Sequence, residues 1–208
     1  MQAKCHGKVG QPSLLPCMLL LAVFFLVGVS LGQFLIRLVP PEVGQELTEY
    51  MEAYVGIEAD QSIRACLTAA FLYFRYPLFV VLFGFSALGI VLIPGATLLF
   101  GFLSSFSVSC FTAAFGAKGV WLALAAYGIR CAVTLPCYFV LAVPALIHSI
   151  RLTSLLFGRG RRVLPVVYER TWWIRIAVSV FVLILGVCID LMLSPVLLQL
   201  VLDQMFIF

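Results

Sequence analysis

The sequence predicts an all-α polytopic membrane protein, a helical bundle of about five transmembrane helices plus one external amphipathic helix. Its composition is the first indication, because 63% of its 208 residues are hydrophobic and only 11% are charged. A soluble domain usually carries about a quarter charged residues. A small water-soluble fold also leaves too much surface wet to hide so many apolar side chains. The second indication is a series of apolar runs close to the roughly 20 residues that cross a bilayer. Cytosolic enzymes and nucleic-acid-binding proteins are excluded.

Five apolar runs are predicted to cross the bilayer within a single transmembrane domain that covers residues 1–208. They are residues 14–36, 76–93, 96–115, 120–150 and 173–200. The first run is too long for a cleaved signal peptide and is predicted to be a retained span. Pro94-Gly95 is predicted to end the second span, and the short turn 116–119 to close the third. Trp172-Trp173 introduces the last span, as expected at a membrane interface.

The basic residues predict the orientation, because lysine and arginine gather on the cytoplasmic side. Two lysines precede the first span, and six arginines lie in 151–175. If 120–150 crosses once, the amino terminus and the basic loop 151–172 are cytoplasmic. The external acidic segment 37–75 and the carboxy terminus are then extracytoplasmic. Whether 120–150, which contains two prolines, is one broken span or two stays open. Two crossings would place the arginine cluster outside.

The external acidic segment 37–75 contains a predicted amphipathic helix over residues 42–57. Its carboxylates recur at helical spacing on one face, opposite an apolar face. They are Glu42, Glu46, Glu49 and Glu52. Such a helix lies along the outer leaflet or packs on the bundle with its carboxylates in water. It is either a solvated linker or a docking surface for an extracytoplasmic partner protein.

Small residues form two candidate helix-packing faces. Spans associate in lipid through close backbone approach at glycine, alanine and serine. The two sets are Gly28 and Gly32 in the first span, and Gly101, Ser105, Ser109 and Ala113 in the third. Packing within the bundle is one interpretation, and contact with another membrane protein is the other.

Arg130 is the costliest charge inside the predicted spans, and Asp190 is the one acid there. Arg130 falls about 11 residues into the fourth span, so we expect it near mid-bilayer at about 1.5 Å of rise per residue. Intramembrane charges face the bundle interior and find partners. Asp190, toward the outer end of the last span, is the one acid available as a partner. Alternatively, Asp190 reaches the outer interface and a hinge near Gly128 lets water reach Arg130.

No pattern for catalysis or for cofactor binding appears in the sequence. The segment 84–89 departs from the serine motif G-x-S-x-G because position 88 is Leu88, and His148 has no evident place in a triad. The seven cysteines include no C-x-x-C pair, and no phosphate loop or dinucleotide fingerprint occurs. We therefore expect no enzymatic activity, no catalytic residue, no cofactor, no metal and no nucleic acid, with the lipid bilayer as one partner. A small-solute or ion transporter stays as the alternative function, because broken helices and buried charge are typical of transporters.

Several motifs occur in an order that covers residues 14–200. They are Gly28–Gly32, an external acidic segment, Gly89 before a proline, Gly101 followed by Ser-Phe-Ser-Val-Ser at 105–109, the turn Gly116-Ala117-Lys118-Gly119, Leu135-Pro136, and Asp190 four residues before Ser194-Pro195. In this order and spacing the chain resembles the stage II sporulation protein M family. It departs from the family where Ile129-Arg130-Cys131 replaces Pro-Gln-Asn, where Phe100 replaces a lysine, and where the proline that follows Gly89 is displaced to Pro94.

The resemblance implies a five-span protein of the mother-cell membrane during sporulation. Such a protein sits in the septal and engulfing membrane and recruits stage II sporulation proteins D and P, which degrade peptidoglycan. The M component is not itself the hydrolase. The resemblance therefore implies a membrane scaffold that anchors and localises peptidoglycan-degrading partners, while the oligomeric state stays open.

Overall fold

The chain forms an all-α helical bundle, as predicted. The computed structural model describes residues 14–38, 63–156 and 170–206, and these residues form five helices. The helices are α1 (Leu14–Ile36), α2 (Ile63–Gly84), α3 (Gly89–Phe115), α4 (Ala117–Leu156) and α5 (Arg170–Phe206). The candidate docking residues Glu42, Glu46, Glu49 and Glu52 lie outside the described residues.

Four segments of the described chain are long and apolar enough to cross a membrane. They are Leu14–Ile36, Gly89–Phe115, Tyr127–Ser154 and Arg170–Leu193. The apolar part of α2 is shorter, Ala70–Gly84. The whole of α2 has 22 residues and therefore rises about 33 Å, close to the thickness of the hydrocarbon core. The described helices are those of a membrane protein, and the number of crossings stays a prediction.

Helices α1 and α3 pack with their backbones in close contact. A Cβ atom added at Gly28 would lie 2.1 Å from the Leu98 carbonyl oxygen, and one added at Gly101 would lie 2.4 Å from the Phe25 carbonyl oxygen. At Gly32 the nearest atom would be the Phe102 carbonyl oxygen, at 2.7 Å. Because residue numbers rise together along the two helices, α1 and α3 run parallel. The first three small residues of the predicted faces are therefore used within the bundle.

Contacts at the two ends of the bundle give the direction of the other helices. Gly84 at the end of α2 lies against Ala145 of α4, and its next neighbour is Trp172 of α5. Toward the opposite end, Gly186 of α5 lies against Val133 of α4 and Tyr73 of α2. Helices α2 and α4 therefore run parallel, and α5 runs against them. Helix α1 runs antiparallel to α4 and contacts it through the rings of Phe25 and Phe139 and through a groove that both helices line. The five helices therefore alternate in direction along the chain.

The break between α2 and α3 lies at residues 85–88, so the predicted end of the second span at Pro94-Gly95 is wrong. Pro94 lies inside α3, where its missing N–H removes one hydrogen bond near the start of the helix. The carbonyl groups of the break are satisfied from α4. The Ser149 hydroxyl donates to the Ser86 carbonyl oxygen at 2.9 Å, and the Thr153 hydroxyl donates to the Ala87 carbonyl oxygen at 3.0 Å. Such contacts allow an irregular backbone within a membrane bundle.

Helix α4 is the central element of the bundle. It is a single continuous helix with Pro136 and Pro144 inside it, which answers the question of one span or two in favour of one helix. Gly116 alone separates it from α3, with a φ of 62° that favours glycine. One side of α4 contributes Tyr138, Leu141 and other buried residues to the core shared with α1, α2 and α3. A second cluster joins α2 and α4 to α5.

Candidate functional site

Arg130 and Asp190 form a buried ion pair between α4 and α5. The Arg130 Nη2 atom donates a hydrogen bond to Asp190 Oδ2 at 3.2 Å. Only 11% of the arginine side chain and 3% of the aspartate side chain are exposed. A charge buried in this way is costly without its counter-ion, since several kcal/mol of desolvation must be offset. The pair therefore fixes the position of α4 relative to α5.

Two tyrosine rings enclose the Arg130 guanidinium. Its Cζ atom lies 5.6 Å from the centre of the Tyr127 ring and 5.9 Å from the centre of the Tyr73 ring. Both distances fall within the range of cation–π attraction. Tyr73 is fully buried, and its hydroxyl lies near the Asp190 carboxylate without a hydrogen bond to it. Helices α2, α4 and α5 thus meet at one polar cluster, formed by Arg130, Asp190, Tyr73 and Tyr127.

The mid-bilayer depth of Arg130 stays a prediction, and the helices give only its position along the bundle. Arg130 lies close to the start of the apolar segment Tyr127–Ser154, and its partner Asp190 lies close to the end of Arg170–Leu193. From Trp172 to Asp190 helix α5 rises about 27 Å, nearly the thickness of a hydrocarbon core. The pair therefore lies near one end of these two apolar segments, beside Tyr73 in the middle of α2.

A cavity of about 300 Å³ adjoins the polar cluster between α2, α3 and α4. Its polar lining residues come from all three helices: Thr68, Arg75, Tyr76, Ser104, Ser107, Tyr127, Arg130, Cys131 and Thr134. Apolar atoms make up most of the remaining wall, including the side chains of Leu72 and Phe100. A mostly apolar cavity with a few convergent polar groups is typical of a small-ligand site.

Arg75 lies in this cavity, although the sequence assigned it to the external segment. It belongs to α2, and its Nη2 atom donates a hydrogen bond to the Tyr76 hydroxyl. The Arg75 guanidinium also lies 4.4 Å from the centre of the Tyr76 ring. Helix α2, which contains Arg75, begins at Ile63, and where the external segment ends relative to the membrane stays a prediction.

The remaining small residues of the predicted packing face diverge along α3. Ser105 is in contact distance of Gly32 at the α1 interface, with 3.1 Å from its Cβ to a Cβ placed at that glycine. Ser109 is half-buried and Ala113 is exposed. The face therefore packs on α1 in its first half only.

Ser86 and His148, considered above as a possible serine–histidine arrangement, each have a local role. The Ser86 hydroxyl accepts a hydrogen bond from the Leu88 backbone N–H at 3.2 Å. The His148 ring packs edge-on against Trp172 at 5.2 Å between centres. Within the described ranges no three His, Cys, Asp or Glu side chains gather as metal ligands would.

Sequence reasoning missed four residues of the site: Tyr73, Tyr127, Arg75 and Thr134. Tyr127 had a detectable signal, since it precedes Arg130 by one helical turn on the same face. The other three depend on how α2 and α4 lie against their neighbours, which no local pattern specifies. Comparison with protein-family models, with curated proteins and with solved structures finds no match for this chain.

Proposed function

We propose that this chain is a membrane scaffold that anchors and localises peptidoglycan-degrading partner proteins at the septal membrane of a bacterial cell. The partners are stage II sporulation proteins D and P, as the resemblance of the sequence implies. The chain is not itself a hydrolase. It crosses the membrane five times, with the amino terminus in the cytoplasm and the carboxy terminus outside, in the mother-cell septal and engulfing membrane.

The observation that carries this proposal is the buried Arg130–Asp190 pair between α4 and α5. It fixes α4 to α5. A platform for extracytoplasmic partners needs helices that are held in fixed relative positions. The outward faces of α1, with Leu15, Met18 and Leu26 well exposed, supply an apolar surface that lipid or the single spans of partners cover.

Co-purification tests the scaffold role. A tagged chain extracted in mild detergent from sporulating cells is expected to retain stage II sporulation proteins D and P. Replacing the four glutamates of the acidic face with lysine is expected to reduce the amount retained at least about tenfold, since like charge opposes docking by more than about 1.4 kcal/mol. The substitutions are Glu42→Lys, Glu46→Lys, Glu49→Lys and Glu52→Lys.

The matched control removes charge on the opposite side of the membrane. Arg159→Gln, Arg161→Gln and Arg162→Gln should leave the retained amount of both partners unchanged, because extracytoplasmic partners do not meet this loop. If the unmodified chain retains neither partner, the scaffold role is wrong. Equal loss in both sets of variants contradicts the docking role of the acidic face.

The second candidate function is transport of a small solute, and the cavity between α2, α3 and α4 favours it. Transporters place charge and interrupted helices around a central site, and Arg75 and Arg130 both line this cavity. Substrate flux into proteoliposomes that contain this chain alone would support transport. Retention of two hydrolases without flux would support the scaffold.

A further inference from the structure

The cavity between α2, α3 and α4 carries a positive charge that the described residues around it leave unbalanced. Arg130 contributes one charge, but Asp190 compensates it directly. Arg75 contributes a second charge, and its contact is the neutral Tyr76 hydroxyl. Among the described residues Arg75 has no carboxylate partner, and its buried Nε atom has no hydrogen-bond acceptor. The cavity therefore holds about one net positive charge in surroundings that are mostly apolar.

Thr134 provides an independent sign of a ligand. This residue of α4 lines the cavity and is only 3% exposed. Its hydroxyl has no hydrogen-bond partner among the described residues. Threonines in apolar helices usually donate to the carbonyl four residues back, as Thr97 and Thr112 do in this chain. A buried hydroxyl without a partner costs about 1–3 kcal/mol, so a ligand that accepts its proton would relieve this cost.

The hydroxyl groups of the cavity complete a set of donors. Ser104 and Ser107 of α3 face Arg75 and Thr134 across the same space. A guanidinium and several hydroxyl donors around one net positive charge match a group with several acceptor oxygens and one negative charge. A volume of about 300 Å³ lies at the small end of ligand sites.

We propose that this cavity binds a singly charged phosphate group, held by Arg75 and Thr134 and assisted by the serines of α3. Two sources share this chemistry, namely a phospholipid headgroup and a free phosphate compound. The site does not depend on the scaffold function and would exist in a transporter as well.

Thermal unfolding in detergent tests this proposal with the full-length purified chain. We expect the unfolding midpoint to rise with inorganic phosphate relative to chloride at equal ionic strength, or with short-chain phosphatidylglycerol relative to short-chain diacylglycerol. Stabilisation by both indicates a site for free phosphate compounds, and stabilisation by the lipid alone indicates a headgroup site. If neither compound raises the unfolding midpoint, the proposal is wrong.

Two variants and one control locate the effect. Thr134→Val keeps the shape of the side chain, and Arg75→Gln removes the charge, and each is expected to weaken the apparent affinity about tenfold. Arg175→Gln removes an exposed arginine of α5 and should bind like the unmodified chain. If Thr134→Val and Arg75→Gln both retain full affinity, phosphate binds elsewhere and the proposal is wrong.

Discussion

Asp190→Leu is expected to destabilise the bundle by about 3 kcal/mol or more, because the Arg130 guanidinium would stay buried without its carboxylate. Arg130→Leu should have a similar effect, since Asp190 is 3% exposed in its side chain and would lose its counter-ion. The midpoint of denaturant unfolding in detergent, together with the amount of protein in the membrane, measures both effects. Few other single substitutions in this chain should be as damaging.

The double variant, Arg130→Leu with Asp190→Leu, tests whether the two charges stabilise the bundle as a pair or independently. Leucine at both positions removes both buried charges, so it should be more stable than either single variant. Arg175→Leu, which removes an exposed arginine, controls for loss of positive charge and should change stability little. Simple addition of the two single effects in the double variant would contradict the pair.

Gly101→Ala is expected to cost about 1–3 kcal/mol by forcing α1 away from α3. The added Cβ would lie 2.4 Å from the Phe25 carbonyl oxygen, and neighbouring backbone cannot move aside as a flexible side chain can. Gly95→Ala on the same helix is the matched control, because a Cβ there meets no atom within 4 Å. Alanine at Gly95 should be neutral or stabilise the helix by about 0.5–1 kcal/mol.

Unfolding midpoints of the two alanine variants, measured side by side, test the α1–α3 contact. The expected order is Gly95→Ala at or above the unmodified chain and Gly101→Ala below it. Gly28→Ala should behave like Gly101→Ala, since its Cβ would lie 2.1 Å from the Leu98 carbonyl oxygen. Equal stability of all three variants would contradict backbone contact between these helices.

The predicted first span and helix α1 have the same bounds, 14–36. The apolar run there is long, uninterrupted and flanked by polar residues, so composition alone defines its ends. The break between α2 and α3 could not be placed in this way. Pro94 is the stronger local helix breaker, but the hydroxyls of Ser149 and Thr153, more than 60 residues away, stabilise the break at residues 85–88.

The candidate site, too, could be predicted only in part from the sequence. Arg130 and Asp190 stood out because charges are rare in apolar spans. Their depth in the bilayer stays a prediction. Arg75 and Thr134 are ordinary residues in the sequence, and only the packing of α2 against α3 and α4 brings them into one cavity.

Labelling of single cysteines in intact cells tests most directly whether the chain crosses the membrane five times. In a cysteine-free background, Glu49→Cys lies between α1 and α2, and Arg161→Cys lies between α4 and α5. Alternating helix directions, together with the proposed cytoplasmic amino terminus, predict that a membrane-impermeant maleimide reacts with Glu49→Cys in intact cells and with Arg161→Cys only after permeabilisation. Reaction of Arg161→Cys in intact cells would contradict the five-crossing bundle and the scaffold built on it.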